Sequence, residues 1–221
     1  DCGRATQDKM HSFVEHMNSW YKLLPLTGKR CEELTSKAYI TDHYEFPYFA
    51  KVSAVPKTYK SLRIIASEQA FRQVLMAPIS QRLDLLLQRD GTSIHDQSKN
   101  QDLAREGSIT DELATIDLHA ASDSLSYGLI SDIFPSNVFH VMDLLRSQSL
   151  VLPNGKTVLS HFFSTMGSRL TFPVETITFK SIIKVGVKRA LPFTTYKGSA
   201  NTTVNAYGDD IIVPSCAYDS V

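Results

Sequence analysis

The sequence has few cysteines, no long apolar segment and no net charge. Its 221 residues include only Cys2, Cys31 and Cys216, and no pair of them has the spacing of zinc ligands. This small, scattered set argues against a zinc site and favours a reducing compartment. The lack of a long apolar run predicts no membrane span, and the charged N-terminal stretch is not typical of a secretion signal. A formal charge of zero argues against binding nucleic acid with the whole surface.

Charge is nevertheless unevenly distributed along the chain. From residue 51 to 105, nine basic residues accompany five acidic ones, whereas residues 111–143 carry Asp and Glu but no Lys or Arg. Residues 176–208 contain no acidic residue and five basic ones. An acidic centre flanked by basic segments suits a polyphosphate substrate and an RNA backbone.

The tetrapeptide Tyr207–Asp210, Tyr-Gly-Asp-Asp, is the most informative motif. The β-prone residues 203–206 and 211–213 flank it, and this pattern predicts a hairpin with two adjacent carboxylates at its tip. Adjacent carboxylates repel each other, and a hard divalent cation such as Mg²⁺ relieves the repulsion. Taken alone, the motif would indicate only an exposed turn, since Gly and Asp are ordinary turn residues.

A second acidic position makes a metal site the better interpretation. Leu113–Leu118 is an apolar strand that carries one acid, Asp117, and a buried Asp is costly without a partner. Capping the next helix would explain Ser122 or Asp123, but Asp117 lies too early for that role. An Asp on a strand together with an Asp pair on a hairpin is what two-metal phosphoryl transfer requires, with the ions roughly 3.5–4 Å apart.

Five segments resemble a known family in the family's own order. They are Val55–Glu68, Asp96–Ser108, Ala114–Ser124, Ser164–Glu175 and Tyr207–Ile212. The chain from about residue 51 onward is similar to the RNA-dependent RNA polymerases of single-stranded RNA bacteriophages, the leviviruses. The first segment resembles the basic fingers motif of the replicase catalytic subunit, the second leads into the palm, and the last three resemble palm motifs A, B and C.

Two departures from the family pattern lie in motif B. Ser168-Arg169 stand where the family usually has Asn-Gly, and Pro173–Thr176 replaces a Glu-Leu-Glu-Ser run. The resemblance implies that both changes lie near the incoming nucleotide and template. They therefore bear on ribose recognition and not on the metal site. The first fifty residues match no family pattern.

The resemblance implies an α+β fold, a right-hand polymerase palm of antiparallel sheet and helices with part of the fingers and no thumb. We expect residues 1–106 to form the N-terminal region and partial fingers, and residues 107–221 the palm with motifs A, B and C. The chain lacks an initiator Met and ends eleven positions after Asp210. It is therefore expected to be a piece of a longer protein and a poor polymerase alone.

The resemblance also assigns roles to individual residues. Asp117, Asp209 and Asp210 would be the catalytic metal ligands for two Mg²⁺ ions, with Mn²⁺ as an alternative. Residues expected to bind the nucleotide are Lys57, Arg63, Asp123 and Ser168. Residues expected to contact the RNA template are Ser164, Thr165, Met166 and Gly167. Without the resemblance, Lys57 and Arg63 would be interpreted as surface charges, and 164–167 as a loop before a helix.

The implied activity is RNA-directed RNA synthesis in viral genome replication, in the cytoplasm of the bacterial host. Its partners would be template RNA, nascent RNA and ribonucleoside triphosphates, together with host elongation factors and a ribosomal protein. No association with a membrane is expected. One alternative is a reverse transcriptase, but small residues follow Asp117 where a bulky aromatic would block ribonucleotides. The other alternative is a non-catalytic RNA-binding fragment.

Local patterns predict further elements. A long helix is expected in Gln69–Gln88, where Pro78 should kink it or split it in two. Further helices are expected at Leu125–Phe134, Val138–Leu145 and Phe172–Leu191, with a packing helix near residues 11–21. A hairpin is expected in Val151–Val158. Lys180, Lys184 and Lys188 recur every four residues and predict a solvated helix face.

Overall fold

The computed structural model describes residues 49–118, 120–190 and 204–220. The packing helix predicted near residues 11–21 lies outside the described residues. The strands are β1 (Phe49–Thr58), β2 (Ser61–Ser67), β3 (Leu113–Asp117), β4 (Ser149–Val151), β5 (Thr157–Leu159), β6 (Asn205–Tyr207) and β7 (Asp210–Pro214). The helices are α1 (Ala70–Arg89), α2 (Ser98–Thr110), α3 (Ala121–Ser124), α4 (Tyr127–Ile133), α5 (Ser136–Leu145), α6 (Thr171–Ala190) and a final 3₁₀ helix (Ser215–Ser220).

Strands β3, β7 and β6 form an antiparallel sheet in that order. The predicted hairpin is confirmed as β6 and β7 joined through Gly208-Asp209. Its positive-φ glycine, at φ 62°, provides the tight turn that the sequence indicated. The strand predicted around Asp117 is confirmed as β3, and it adds to the outer edge of β7.

The other described sheet has the order β2-β1-β4-β5, and it is mixed. β1 pairs with β2 antiparallel but with β4 parallel, and the chain from β2 to β4 passes through five helices. A parallel neighbour requires such a long crossover. The hairpin predicted around Asn154-Gly155 is confirmed as β4 and β5. The architecture is thus α+β, and within the described residues the fully antiparallel sheet is β3-β7-β6.

Helices form where they were predicted, with one difference in α1. This helix is continuous from Ala70 to Arg89 with Pro78 inside it, so of the two predicted effects of Pro78 the split is excluded, while the kink stays a prediction. Burial of its inner face compensates for the hydrogen bond that a proline removes, because Met76, Ile79 and Leu83 are all buried. The helices on either side of Pro135 are confirmed as α4 and α5, and the long final helix is confirmed as α6.

The hydrophobic core lies between the antiparallel sheet and helices α1, α5 and α6. Ile211 and Val213 of β7 pack in one cluster with Met76 of α1, Met142 of α5 and Val174 of α6. Apolar residues at helical spacing on three helices therefore cover one face of the sheet. Among the described residues, no helix combines the length and apolarity that crossing a membrane would demand.

Candidate active site

The register of the antiparallel sheet brings the three predicted catalytic carboxylates to one end. Asp117 is the last residue of β3 and lies directly opposite Asp210, the first residue of β7. Directly paired residues of an antiparallel sheet project from the same face. Asp209 precedes Asp210 in the turn, and all three residues are exposed. The strand pattern and the hairpin pattern thus converge on a single acidic cluster.

The electrostatics of Asp210 reflect this crowding. Burial raises the pKa of its carboxyl above the ordinary value, and the charges of Asp209 and Asp117 raise it further. A hydrogen bond from Gln97 Nε2 to Asp210 Oδ2, at 2.9 Å, acts in the opposite direction. Like charges that share a site disfavour ionisation, so the cluster is better stabilised when a cation lies among them.

Helix α6 contributes a fourth acid, Glu175, that was not among the predicted site residues. Its side chain is buried, and burial together with the charges of Asp209 and Asp123 raises its pKa from 4.5 to about 7. Asp123, on α3, is therefore close enough to the cluster to affect it. The sequence did contain a signal for Glu175, because this acid lies among the apolar residues that form the buried face of the helix. A buried acid is costly unless it has a partner or a function.

The hairpin tip is attached to α6 by a hydrogen bond and by aromatic packing. The amide of Gly208 donates to Thr176 Oγ1 at 3.0 Å. The rings of Phe172 and Tyr207 meet edge to face at 5.0 Å. A Cβ at position 208 would lie 2.5 Å from the Phe172 ring, so the close approach requires glycine. Thr176 replaces the family's usual Ser and keeps the hydroxyl that this contact uses.

The predicted template loop, residues 164–167, lies against the end of β2. The amide of Ala66 donates to Met166 O at 2.8 Å. Gly167 has φ 121°, and a Cβ there would lie 2.5 Å from Ala66 O. Gln73 of α1 donates to Gly167 O at 2.5 Å and accepts from Arg169 N at 3.0 Å. The loop is therefore joined both to the β1–β2 ribbon and to α1.

Hydroxyl groups stabilise the start of the same loop. Thr171 Oγ1 contacts Ser164 Oγ at 3.0 Å and donates to Thr165 O at 2.8 Å. The hydroxyl of Ser168 is buried, where it contacts Met76 Sδ at 3.5 Å and accepts from Leu170 N at 3.3 Å. A contact between Ser168 and a ribose would require this hydroxyl to exchange partners.

The two predicted phosphate ligands, Lys57 and Arg63, lie on opposite strands of the β1–β2 ribbon. Arg63 pairs with Val55, while the register shifts between Pro56 and Thr58, on either side of Lys57. The backbone at Val55, Pro56 and Lys57 is extended, as part of β1. Both side chains are exposed. Their orientation toward the acidic cluster remains a prediction.

The carboxylate oxygens of the acidic cluster are ligands of the kind that Mg²⁺ prefers. Within the described ranges, no three Asp, Glu, His or Cys side chains are arranged as a group that could hold a metal. Mg²⁺ commonly takes one or two carboxylates together with water and substrate phosphates, and seldom an all-protein cage. Exposed carboxylates with a raised pKa at Asp210 are consistent with that open kind of site.

Together, the fold and site define an α+β protein in which a strand and a hairpin present a carboxylate cluster supported by helices α2 and α6. The family model described as RNA replicase, beta-chain, matches residues 21–221, so the family match begins about thirty residues before the first recognised motif, and the expectation that the first fifty residues match no family is wrong for residues 21–50. The chain belongs to this family.

Individual relatives agree with this assignment. The chain is 39% identical over 169 residues to the RNA-directed RNA polymerase subunit beta of Escherichia virus Qbeta, and that match covers 76% of the chain. It is 36% identical over 167 residues to the corresponding subunit of Enterobacteria phage SP and 37% identical over 164 residues to the beta chain of Escherichia phage MS2. These matches cover 76% and 74% of the chain. Each match covers 28% of the relative's own length.

Proposed function

We propose that this chain contains the catalytic palm, and part of the fingers, of a viral RNA-directed RNA polymerase. The observation that carries the proposal is the register of β3 and β7, which pairs Asp117 with Asp210 beside Asp209. Membership of the RNA replicase beta-chain family supports it. In this assignment the β3-β7-β6 sheet with α3 and α6 is the palm, within residues 107–221. The β1–β2 ribbon belongs to the fingers, within residues 1–106.

The proposed reaction is attack of a primer or nascent-strand 3′-hydroxyl on the α-phosphate of a ribonucleoside triphosphate, with loss of pyrophosphate. Asp117 and Asp209 would hold two Mg²⁺ ions, or Mn²⁺, and Asp210 would assist. When bound, such ions supply charge stabilisation for the attacking and leaving oxygens. Their carboxylate ligands need a fixed position, because catalysis of this kind depends on placement and electrostatics.

Buried Glu175 would moderate the charge of the acidic cluster when no cation is bound. Its pKa of about 7 means that its carboxyl holds a proton below neutral pH, which limits the negative charge beside Asp209 and Asp123. A cation among these residues would favour release of that proton. Glu175 is therefore proposed to respond to occupancy of the site, whereas the exposed aspartates bind the cation.

The remaining predicted residues would bind substrate. Lys57 and Arg63 would neutralise the triphosphate, and Asp123 and Ser168 would lie near the ribose. The loop Ser164–Gly167 would contact the template, consistent with its attachment to the fingers ribbon at Ala66. Template and nascent RNA would be the macromolecular ligands. Host elongation factors and a ribosomal protein are proposed partners, and the bacterial cytoplasm is the proposed location.

Primer extension with a replicase subunit that contains this sequence tests the proposal. With Mg²⁺ and an RNA template, the subunit should incorporate ribonucleotides in preference to deoxyribonucleotides. Asp209→Asn should reduce incorporation at least about a hundredfold, because metal-borne charge stabilisation of several kcal/mol is lost. Asp219→Asn is the matched control, since Asp219 is exposed and follows the opposite end of β7.

The same assay distinguishes the alternatives. Preferential incorporation of deoxyribonucleotides would indicate a reverse transcriptase. RNA binding without incorporation in the wild-type subunit would indicate a non-catalytic RNA-binding protein. Full activity in Asp209→Asn would show that the hairpin is only a turn.

A further inference from the structure

Four buried polar side chains lie behind the acidic hairpin, between helix α6 and the start of α2. Lys180, Thr92, Asn205 and Asn100 are each at most 5% exposed. The predicted solvated lysine face is therefore wrong for Lys180, although Lys188 is exposed. The helix packs against the loop after α1 at this position, which a four-residue lysine spacing alone does not reveal.

The four side chains form an unbroken series of hydrogen bonds, which we call the relay. Lys180 Nζ donates to Thr92 Oγ1, and Thr92 Oγ1 donates to Asn205 Oδ1 at 2.6 Å. Asn205 Nδ2 donates to Asn100 Oδ1 at 2.6 Å. Asn100 Nδ2 then donates to the backbone oxygen of Asp210 at 2.9 Å. The relay thus begins at a buried cation and ends on a predicted catalytic residue.

All donors in the relay point in the same direction, toward Asp210. Hydrogen bonds aligned in this way polarise one another, and a buried environment strengthens them. The positive charge of Lys180, the first member of the relay, is compensated by Asp90. Lys180 Nζ contacts Asp90 O at 3.0 Å and Asp90 Oδ2 at 2.8 Å. Lys184 Nζ pairs with the same carboxylate at 2.5 Å. Each N–H of the Lys180 ammonium therefore has an acceptor.

Asp210 is held from the same side at its carboxylate. Gln97, at the start of α2, donates to Asp210 Oδ2 at 2.9 Å, while Asn100 of the same helix binds the backbone oxygen. We propose that the Lys180–Thr92–Asn205–Asn100 relay is a positioning device that sets the place of Asp210 relative to Asp117 for nucleotidyl transfer. The inference rests on the proposed function, and its residues act through Asp210 without touching substrate.

A purely structural role for the relay makes a different prediction. If the relay were purely structural, an apolar side chain of the same shape at one member would lower stability, because its buried partners lose their hydrogen bonds, but the kcat of the folded protein would not change. Thr92→Val has that shape but can neither donate to Asn205 nor accept from Lys180. Lys180 keeps its contacts with Asp90 in this variant, so no buried charge loses its ion pair.

The test compares three variants of the replicase subunit in single-nucleotide incorporation. Thr92→Val should lower kcat about tenfold with little change in nucleotide KM, because misplacement of a catalytic group by a fraction of an ångström slows the chemical step. Thr92→Ser restores the hydroxyl and should return kcat to within about twofold of wild type. Gln101→Ala, on the exposed side of α2, is the matched control and should leave kcat unchanged.

A measurement independent of activity separates this inference from the proposed function. Amide hydrogen exchange of the peptide covering residues 205–214 should be faster in Thr92→Val than in wild type, and unchanged in Thr92→Ser and Gln101→Ala. Absence of RNA synthesis by the wild type would overturn the proposed function, while the exchange data would still report on the relay.

The outcomes are decisive for the relay. Lower kcat in Thr92→Val, rescue by Thr92→Ser and faster exchange confined to the hairpin would support it. Unchanged kcat, unchanged hairpin exchange, or no rescue by the serine variant would overturn it. The folded fraction of each variant at the assay temperature is obtained from its thermal melting curve. If the kcat loss of Thr92→Val is no larger than its loss of folded protein, the relay has only a structural role, and the inference is overturned.

Discussion

The acidic end of the β3-β7-β6 sheet and the β1–β2 ribbon contrast in how the protein supports them. Gly208 is buried against α6, and Asp210 is bound at its backbone and side chain by α2. On the ribbon, Tyr59 is 91% exposed, and Leu62 and Ile64 are each more than 60% exposed. The acidic residues therefore have buried partners in adjacent helices, while much of the ribbon faces solvent.

This difference matches the two kinds of work proposed for the regions. A metal-binding cluster must hold its ligands to within a fraction of an ångström, which buried and hydrogen-bonded neighbours achieve. Binding of a flexible triphosphate or an RNA strand tolerates long, mobile cationic side chains on an exposed surface. Changes near the acidic cluster should therefore affect the chemical step and its pH dependence, whereas changes on the ribbon should affect substrate affinity.

The largest effect expected from this difference between the two regions concerns Glu175 and the pH dependence of stability. Its pKa is 4.5 ordinarily and about 7 when folded, and one pKa unit corresponds to about 1.4 kcal/mol, so the shift is worth about 3 kcal/mol. Between these values the folded state binds the extra proton. The contribution is complete below pH 4.5 and is lost as pH rises through about 7. Glu175→Gln should abolish that loss.

Urea unfolding between pH 4.5 and 8, in buffer that contains EDTA, measures this effect. The wild type should lose more free energy of unfolding with rising pH than Glu175→Gln does. Glu106→Gln, which changes an exposed acid of α2, should retain the wild-type slope. Equal pH slopes in wild type and Glu175→Gln would show that Glu175 does not hold a proton in the folded cluster.

A smaller effect is expected on the exposed ribbon. Lys57→Ala and Arg63→Ala should each raise the nucleotide KM about tenfold, because a charge-assisted hydrogen bond to phosphate is lost. Melting temperature should not change, since both side chains are exposed. Lys60→Ala removes a neighbouring exposed charge as the control. Unchanged KM in both variants, or an equal rise in the control, would make these residues ordinary surface charges.

Local sequence patterns sufficed for the elements that carry the predicted catalytic acids. Strand β3 and the β6–β7 hairpin follow from short β-prone runs and a Gly-Asp turn, because neighbouring residues determine both. The helix predicted over Phe172–Leu191 likewise agrees with α6 to within one residue at each end. The convergence of Asp117 with the Asp209–Asp210 tip was expected from the chemistry of two-metal sites and from the family resemblance. The register that places Asp117 opposite Asp210 was not predicted, since strand register depends on the whole sheet.

Features set by tertiary packing were not predictable in this way. The burial of Lys180 depends on Thr92 and Asp90, which lie about ninety residues earlier in the chain. The continuity of α1 through Pro78 depends on the core that covers its inner face. The parallel pairing of β1 with β4 depends on a crossover of several helices. In each case the deciding contact is distant in sequence, so no local pattern encodes it.

The central claim is that Asp117 and Asp209 bind a shared cation. Mn²⁺ affinity, measured by electron paramagnetic resonance on the replicase subunit with a non-hydrolysable ribonucleoside triphosphate, tests it most directly. Asp117→Asn and Asp209→Asn should each weaken binding about tenfold or more. Asp219→Asn should not weaken it. The double variant should be little worse than either single variant, because residues that share one ion are not additive. Full Mn²⁺ affinity in either single variant, or strictly additive losses, would contradict the account.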